Sequence, residues 1–331
     1  MGDAEFYANS LYLAHWASKH PCMECNAVAD SSNVGRWFKT IQMEKQKFTV
    51  ITNAAALAKP GSHHLIFHEV SGLSTKYVRG DALHILFCSG IYSHLLGSVL
   101  HHLCWYDGKG KQAKTPAERL SVLWENIQKT YKKLGSTTRL SNLRLSMFTD
   151  VKQPHQAFPT LSIKGSEAKH LLPAMLMVCK TMLRKDIWHE KCMLDAMESM
   201  VRLVELYDNA DIFLEEKEWK QAFTLGKGFL DAYSLLHQWA SEQNKLLFNI
   251  VYKFHIQHML ENSKFLNPRA HWRFSNEDFV GKMSLLTYSR SSGVGATRLS
   301  MKVAPKYKVL LHLVLTREGF QQSAKEFADE L

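Results

Sequence analysis

A chain of 331 residues with 46% hydrophobic and 22% charged residues can bury a substantial core, which argues against wholesale disorder. Its 41 Lys and Arg against 31 Asp and Glu give a net charge of +10, which favours a polyanionic partner such as nucleic acid, with DNA preferred. We find no apolar run of the ~18 residues needed for a membrane span. The chain start has neither a signal-peptide nor a myristoylation pattern, and the six Cys are too irregularly spaced for a disulfide framework. The composition therefore predicts an intracellular protein, with the nucleus favoured, and no membrane partner.

Residues 1–70 read as a loop-rich segment that resembles a zinc knuckle. Cys22 and Cys25 form a C-x-x-C pair that can supply two of the four ligands of tetrahedral zinc. The other ligands would come from nearby imidazoles, with His20 the first candidate. A reduced structural Cys pair is the alternative. The best strand candidate in this segment is the short apolar run at residues 63–68.

Helical signals begin after Asp81. Residues 82–103 are apolar on nearly all sides, which predicts one buried helix. A second helix is predicted from Thr115, as N-cap with Pro116 in the first position, to Leu134 and Gly135. Thr115 and Glu118 also fit a capping box.

A polar, basic loop is predicted at residues 136–158, followed by a helical C-terminal half. Apolar residues recur there at the three-four spacing of packed helices. We interpret these stripes as core positions: Leu194, Met197, Val201 and Val204 in one helix, and Phe229, Tyr233, Leu236 and Ala240 in another. The fold class is therefore mainly α with a small β component.

Two acid–histidine pairs could carry chemistry. Asp81 and His84 lie one turn apart and could bind a divalent metal, but Asp81 is equally explained as an N-cap and His84 as a core residue. Glu167 and His170 form the second pair, and here a charged helix start explains the pattern, with Pro173 in the first turn of the following helix.

An aromatic and basic stretch leads into an acidic helix start at residues 267–282. Ser275 and Asp278 fit a capping box, which places Glu277 in a first helical turn. His255 and His258, upstream, lie on one helix face. The basic residues in this part of the chain are the candidates for nucleic-acid contact: Lys253, Arg269, Arg273 and Lys282.

The order of these motifs resembles DDE transposases of the CACTA and Plavaka type. The resemblance covers residues 16–290 and includes the C-x-x-C pair, G-D-x-x-H, K-x-H-x-x-H and the block from Trp272 to Gly281. It implies a partial ribonuclease-H-like core interrupted by a large helical insertion. Residues 71–320 would form a mostly helical domain, with the insertion over about 110–250 and a closing helix at about 275–290. It also implies catalytic roles for Asp81, His84 and Glu277 with Mg²⁺, and a zinc knuckle at Cys22 and Cys25.

One departure from the family limits the catalytic expectation. The earlier catalytic Asp residues of the family precede its zinc knuckle, whereas here Asp3 is the sole Asp before Cys22. We therefore expect a transposase-derived nucleic-acid-binding protein without full catalytic activity. The alternatives are a helical scaffold with an acidic protein partner, and a Mg²⁺-dependent nuclease that uses Asp81, His84, Glu167 and Glu277.

Overall fold

The computed structural model describes residues 17–22, 24–49, 80–106, 115–264 and 266–272. The chain divides into two compact units, Met1–Trp272 and Arg273–Leu331, and all described residues belong to the first. The regular structure of these residues is helical, apart from an isolated parallel bridge between Val28 and Trp37. The mainly α prediction is confirmed. The predicted strand at residues 63–68 lies outside the described ranges.

Seven α-helices follow one another along the described chain. They are α1 (Ala82–Leu86), α2 (Ile91–His101), α3 (Pro116–Lys133), α4 (Gly165–Met182), α5 (Trp188–Asn209), α6 (Glu216–Glu242) and α7 (Gln257–Asn262). A π-helical turn, His102–Tyr106, continues α2, and 3-10 turns lie at Leu145–Met147, Tyr252–Phe254 and Pro268–His271.

The predicted buried helix at residues 82–103 is buried but is not continuous. It breaks between α1 and α2, where Ser89 adopts a positive φ of 46°. A Cβ at Gly90 would collide with the backbone carbonyls of His84 and Ile85, so only glycine fits this tight reversal. Every residue of α2 is buried, which explains why its sequence shows no polar face.

The stretch Ala82–Tyr106 is long and apolar enough to cross a membrane by length and composition alone, with a mean hydropathy of 1.5 in its most apolar window. Of that window, 78% is buried inside the fold. Such burial is also the pattern of a core helix, so this stretch is weak evidence for a span.

The predicted start and end of α3 are confirmed. The Thr115 hydroxyl accepts a hydrogen bond from the Glu118 amide at 3.2 Å, and the Glu118 carboxylate accepts one from the Thr115 amide at 2.9 Å. Pro116 occupies the first helical position, and Gly135 follows the helix with a φ of +61°. This reciprocal pair satisfies two amides that helix geometry leaves without partners.

The core stripes of α5 and α6 are also confirmed, because all eight predicted residues are buried. Helix α4 differs from its prediction. It begins at Gly165, so Pro173 lies inside the helix and not in its first turn. The loop predicted at residues 136–158 is present and contains one 3-10 turn, Leu145–Met147.

The described residues between 17 and 49 form a compact loop held by backbone hydrogen bonds. The Val28 amide donates to the Arg36 carbonyl at 2.8 Å, and the Phe38 amide donates to the Val28 carbonyl at 2.9 Å. Cys22, Cys25 and Ala27 are buried beneath the partly buried rings of Phe38 and Phe48. The loop therefore presents both cysteines to the interior.

Candidate metal centre

Two cysteines and two histidines converge in the interior of the protein. The ligand-type atoms of Cys22, Cys25, His255 and His258 all lie within 4.8 Å of one another, and all four residues are buried. The Cys25 sulfur lies 3.8 Å from Nδ1 of His255, across a sequence separation of 230 residues. The cluster thus joins the loop at residues 17–49 to the start of α7.

The two histidines are positioned by an aromatic anchor. Phe254 is fully buried, with its ring 4.4 Å from that of Tyr233 and 6.1 Å from that of Phe229, both on α6. His255 directly follows this anchor and the 3-10 turn Tyr252–Phe254, and His258 lies at the second position of α7. The anchor therefore fixes the backbone that carries both imidazoles.

Neighbouring groups orient the four side chains. Nε2 of His255 lies 2.7 Å from the Phe38 carbonyl oxygen, which can only accept, so this nitrogen carries the proton and Nδ1 presents a lone pair to the cluster. The Glu24 amide donates to the Cys22 sulfur at 3.4 Å. The Phe48 ring packs 4.9 Å from the His255 ring. Such outer contacts are typical of metal-ligating residues.

The thiols of Cys22 and Cys25 share one hydrogen bond, which shifts their pKa values in opposite directions. This bond, together with burial, raises the pKa of the Cys22 thiol. The same bond is the largest cause of the lowered pKa of the Cys25 thiol. Cys25 is therefore the more easily deprotonated of the two thiols, and its sulfur faces Nδ1 of His255 across the cluster.

The ligand types and the distances between their atoms fit a tetrahedral metal ion. Zinc binds cysteine sulfur at about 2.3 Å and histidine nitrogen at about 2.0–2.1 Å, so its ligand atoms stand about 3.3–3.8 Å apart. The four atoms here lie within 4.8 Å, so small side-chain adjustments suffice. Cys22 and Cys25 form no disulfide, which leaves both sulfurs available as ligands. The cluster could hold a metal such as zinc.

The ligand set extends beyond the sequence prediction. Cys22 and Cys25 belong to the cluster, whereas His20 is half-buried and lies outside this group of four. His255 and His258 replace the predicted neighbouring imidazoles. The signal that could have found them is their own spacing, because H-x-x-H repeats the three-residue separation of C-x-x-C.

The predicted Asp81–His84 pair lies beside the metal cluster. Both residues line a pocket that also borders Cys22, His255 and His258. One Asp81 oxygen accepts the Leu83 amide at 2.9 Å as the N-cap of α1. The other oxygen lies 2.8 Å from Nδ1 of His84. Asp81 is thus a cap, as one of the two interpretations expected, and its carboxylate also holds His84.

Other predicted residues hydrogen-bond to backbone groups, either near in sequence or on a distant segment. The Glu167 carboxylate accepts the Lys164 amide at 3.0 Å at the start of α4. The Lys253 ammonium donates to the carbonyls of Cys88 and Ser89 at 2.9 and 3.1 Å. The Arg269 guanidinium donates to the Asp208 carbonyl at 2.6 Å. These contacts give each residue a structural role.

The block at residues 267–282 is described only through Trp272. The Trp272 ring lies edge-on to Phe87 at 5.6 Å, and the Lys169 ammonium stands 4.3 Å above it. This contact places Trp272 against α4 and the end of α1. Arg273, Glu277 and Lys282 lie outside the described residues, so the predicted closing helix and its acid stay predictions.

Comparison with known proteins gives no relative. No protein-family model matches the chain, and neither a curated protein nor a solved structure matches it.

Proposed function

We propose that this chain is a zinc-containing, DNA-binding protein derived from a DDE transposase and lacking full catalytic activity. The observation that carries the proposal is the convergence of Cys22, Cys25, His255 and His258. Three motifs of the resemblance, C-x-x-C, D-x-x-H and H-x-x-H, border one pocket although they are far apart in sequence. Their meeting is expected if their order is inherited from one ancestral core.

The zinc ion would supply a cross-link, not a reactive water. Two thiolates and two imidazoles complete a tetrahedral shell, which is the arrangement of structural zinc sites. All four proposed ligands are buried. The role of the ion is therefore to fasten the N-terminal loop to α7.

Metal content tests this zinc site. The purified chain is expected to hold a zinc ion that is lost in the Cys25→Ser variant, because one of four ligands is removed. Cys192→Ser is the matched control, since Cys192 is partly exposed on α5 and outside the cluster. Equal zinc content in Cys25→Ser and Cys192→Ser, measured by elemental analysis of folded protein, would contradict the site.

A basic surface supports the nucleic-acid part of the proposal. Residues 126–149, at the end of α3 and in the following loop, contain no Asp or Glu. The segment has five cations, all exposed: Lys129, Lys132, Lys133, Arg139 and Arg144. Because a phosphate backbone is bound through such cations, this surface is the expected DNA contact.

Salt-dependent binding to a DNA duplex of arbitrary sequence tests the proposed function. We expect affinity to fall with salt, and the Lys129→Glu/Lys133→Glu variant to reduce the slope of log K against log salt by about 2, because two phosphate contacts are lost. Lys217→Glu/Lys220→Glu is the matched charge reversal, at exposed positions of α6. If both variants weaken DNA binding equally, the DNA contact lies elsewhere. If the protein does not bind DNA at low salt, the proposed function is refuted.

We do not propose catalysis, because the Asp81 carboxylate, which the family pattern would place in the catalytic site, already has hydrogen-bond partners. Both Asp81 oxygens already have partners, the Leu83 amide and the His84 ring. Two-metal phosphoryl chemistry requires several carboxylates that face the ions. We therefore expect no Mg²⁺-dependent nicking by this chain, and such nicking, abolished in Glu277→Ala, would favour the nuclease alternative instead.

A further inference from the structure

A second group of ligand-type side chains lies away from the Cys/His cluster. His102, in the π-helical turn after α2, meets His189 and Glu190 from the first turn of α5. Their ligand-type atoms lie within 4.8 Å of one another, and Nε2 of His102 is 3.8 Å from Oε1 of Glu190. Neither the zinc proposal nor the DNA proposal uses these residues.

Packing alone does not account for His102. The residue is 1% exposed, and neither of its ring nitrogens has a hydrogen-bond partner among the residues that the structure describes. The Glu190 carboxylate, 3.8 Å from Nε2, is beyond hydrogen-bonding distance. A buried polar atom without a partner costs about 1–3 kcal/mol. His102 also lies in a π-helical turn, a distortion that is frequent at functional sites. Both observations indicate a ligand for the imidazole.

The surrounding residues hold the other two side chains in place. Glu190 is fully buried, and its Oε1 accepts hydrogen bonds from Nε and an Nη of Arg184 at 3.1 and 2.6 Å. The His189 ring stacks on Trp239 with centroids 4.1 Å apart and planes at 13°. An oriented carboxylate and an oriented imidazole are features of a prepared metal site.

The distances fit a first-row divalent ion. Zinc bonds of about 2.1 Å to nitrogen and oxygen place tetrahedral ligand atoms about 3.4 Å apart. The His102–Glu190 separation of 3.8 Å is close to that value. The positive charge of Arg184 opposes a cation here, and Oε1 already accepts two hydrogen bonds from the guanidinium. Oε2 accepts one hydrogen bond, from the Arg184 amide, and keeps a second lone pair that a metal ion can use.

We propose that His102, His189 and Glu190 form a second metal site that takes a zinc ion, with the fourth position held by water. The ion gives the unpartnered Nε2 of His102 a bond. It also ties the end of α2 to the start of α5, independently of the Cys/His cluster. The competing explanation is an Arg184–Glu190 ion pair against which His102 packs without a ligand.

Cobalt substitution of the full chain tests the second site. A thiolate site gives an intense sulfur-to-cobalt charge-transfer band, whereas a site of two imidazoles and one carboxylate gives visible absorption without that band. Titration of the metal-free protein with Co²⁺ should therefore show two equivalents with distinct spectra. His189→Ala should lose only the thiolate-free equivalent. His189 is half-buried, so its truncation leaves the core filled.

Two further variants make the outcome specific. His155→Ala removes an exposed imidazole and should keep both equivalents. Cys25→Ser should lose the thiolate equivalent alone, so failure of the zinc knuckle and failure of the second site are distinguishable. The second site is overturned if His189→Ala binds as much cobalt as the wild type, or if wild-type cobalt is confined to the thiolate spectrum.

Discussion

At the scale of single residues, His94 shows how burial sets a charge state. It lies on the fully buried helix α2, with its Nδ1 3.2 Å from the Thr160 hydroxyl. Burial disfavours the imidazolium, and the nearby Lys253 ammonium adds to this effect, so the pKa of His94 falls to about 4 from 6.5. His94 is therefore neutral in the folded protein throughout the physiological pH range.

The lowered pKa of His94 predicts a loss of stability in mild acid. Between pH 6.5 and about 4 the unfolded chain binds a proton that the native imidazole does not, so the free energy of unfolding falls as pH falls. The slope reaches about 1.4 kcal/mol per pH unit for one such group. His94→Gln should flatten this dependence, as measured by urea unfolding at several pH values.

The comparison between wild type and His94→Gln isolates this effect. The Cys/His cluster also responds to acid, but it is present in both proteins and cancels in the difference between them. A difference in stability that stays constant from neutral pH down to about pH 5 would contradict a neutral buried His94.

The metal cluster shows which residues a sequence can and cannot identify. The pair Cys22 and Cys25 was predictable because its ligands are neighbours in the chain. Their partners share the same spacing in H-x-x-H, but a separation of 230 residues between Cys25 and His255 leaves no local signal that the two pairs meet. The pairs meet only in the folded chain, where Phe254 packs on Tyr233 directly before His255.

At the scale of elements, the predictions succeeded where the determining interactions are local. The capping box of α3 depends on residues three apart, Thr115 and Glu118, and its start was predicted correctly. The break between α1 and α2 was missed, because Gly90 is required by contacts that appear only once the chain reverses. Apolar content alone predicts burial but not continuity.

At Gly97, helix α2 comes very close to the backbone of the loop before α4. A Cβ at Gly97 would lie 2.8 Å from the Pro159 carbonyl oxygen and 2.9 Å from the Leu161 amide. These are backbone atoms, and the Leu161 amide donates to the Ser93 carbonyl at 2.9 Å, so they cannot easily move. Gly97→Ala should destabilise the protein by about 2 kcal/mol or more.

Gly228 on α6 is the matched control. A Cβ there meets only the Ser199 hydroxyl, at 3.7 Å, and the position is exposed. Gly228→Ala should stabilise the protein by up to about 1 kcal/mol, because alanine is the better helix former. Chemical unfolding of the two variants should give opposite signs, and destabilisation of similar size in both would rule out the close approach as the cause.

At the scale of the whole molecule, stability is divided between an extensive helical core and a small loop. The core contains the long helices α4, α5 and α6, whose inner faces are buried. The described residues of the loop at 17–49 form no helix and are held by backbone hydrogen bonds, the isolated Val28–Trp37 bridge and a small apolar cluster. A zinc ion that joins this loop to α7 would therefore stabilise the two parts unequally.

Removal of the metal should release the loop before it affects the helical core. We expect a strong chelator to raise amide hydrogen exchange at residues 17–49 and near His255 and His258, since the cross-link ties this loop to α7. Amides of α5 and α6 should keep their protection, because their buried faces do not depend on the cluster. Cys25→Ser should reproduce the chelated pattern without chelator, and Cys192→Ser should not. Uniform loss of protection across loop and helices would instead make the metal essential to the entire fold, and unchanged exchange at residues 17–49 would remove its structural role.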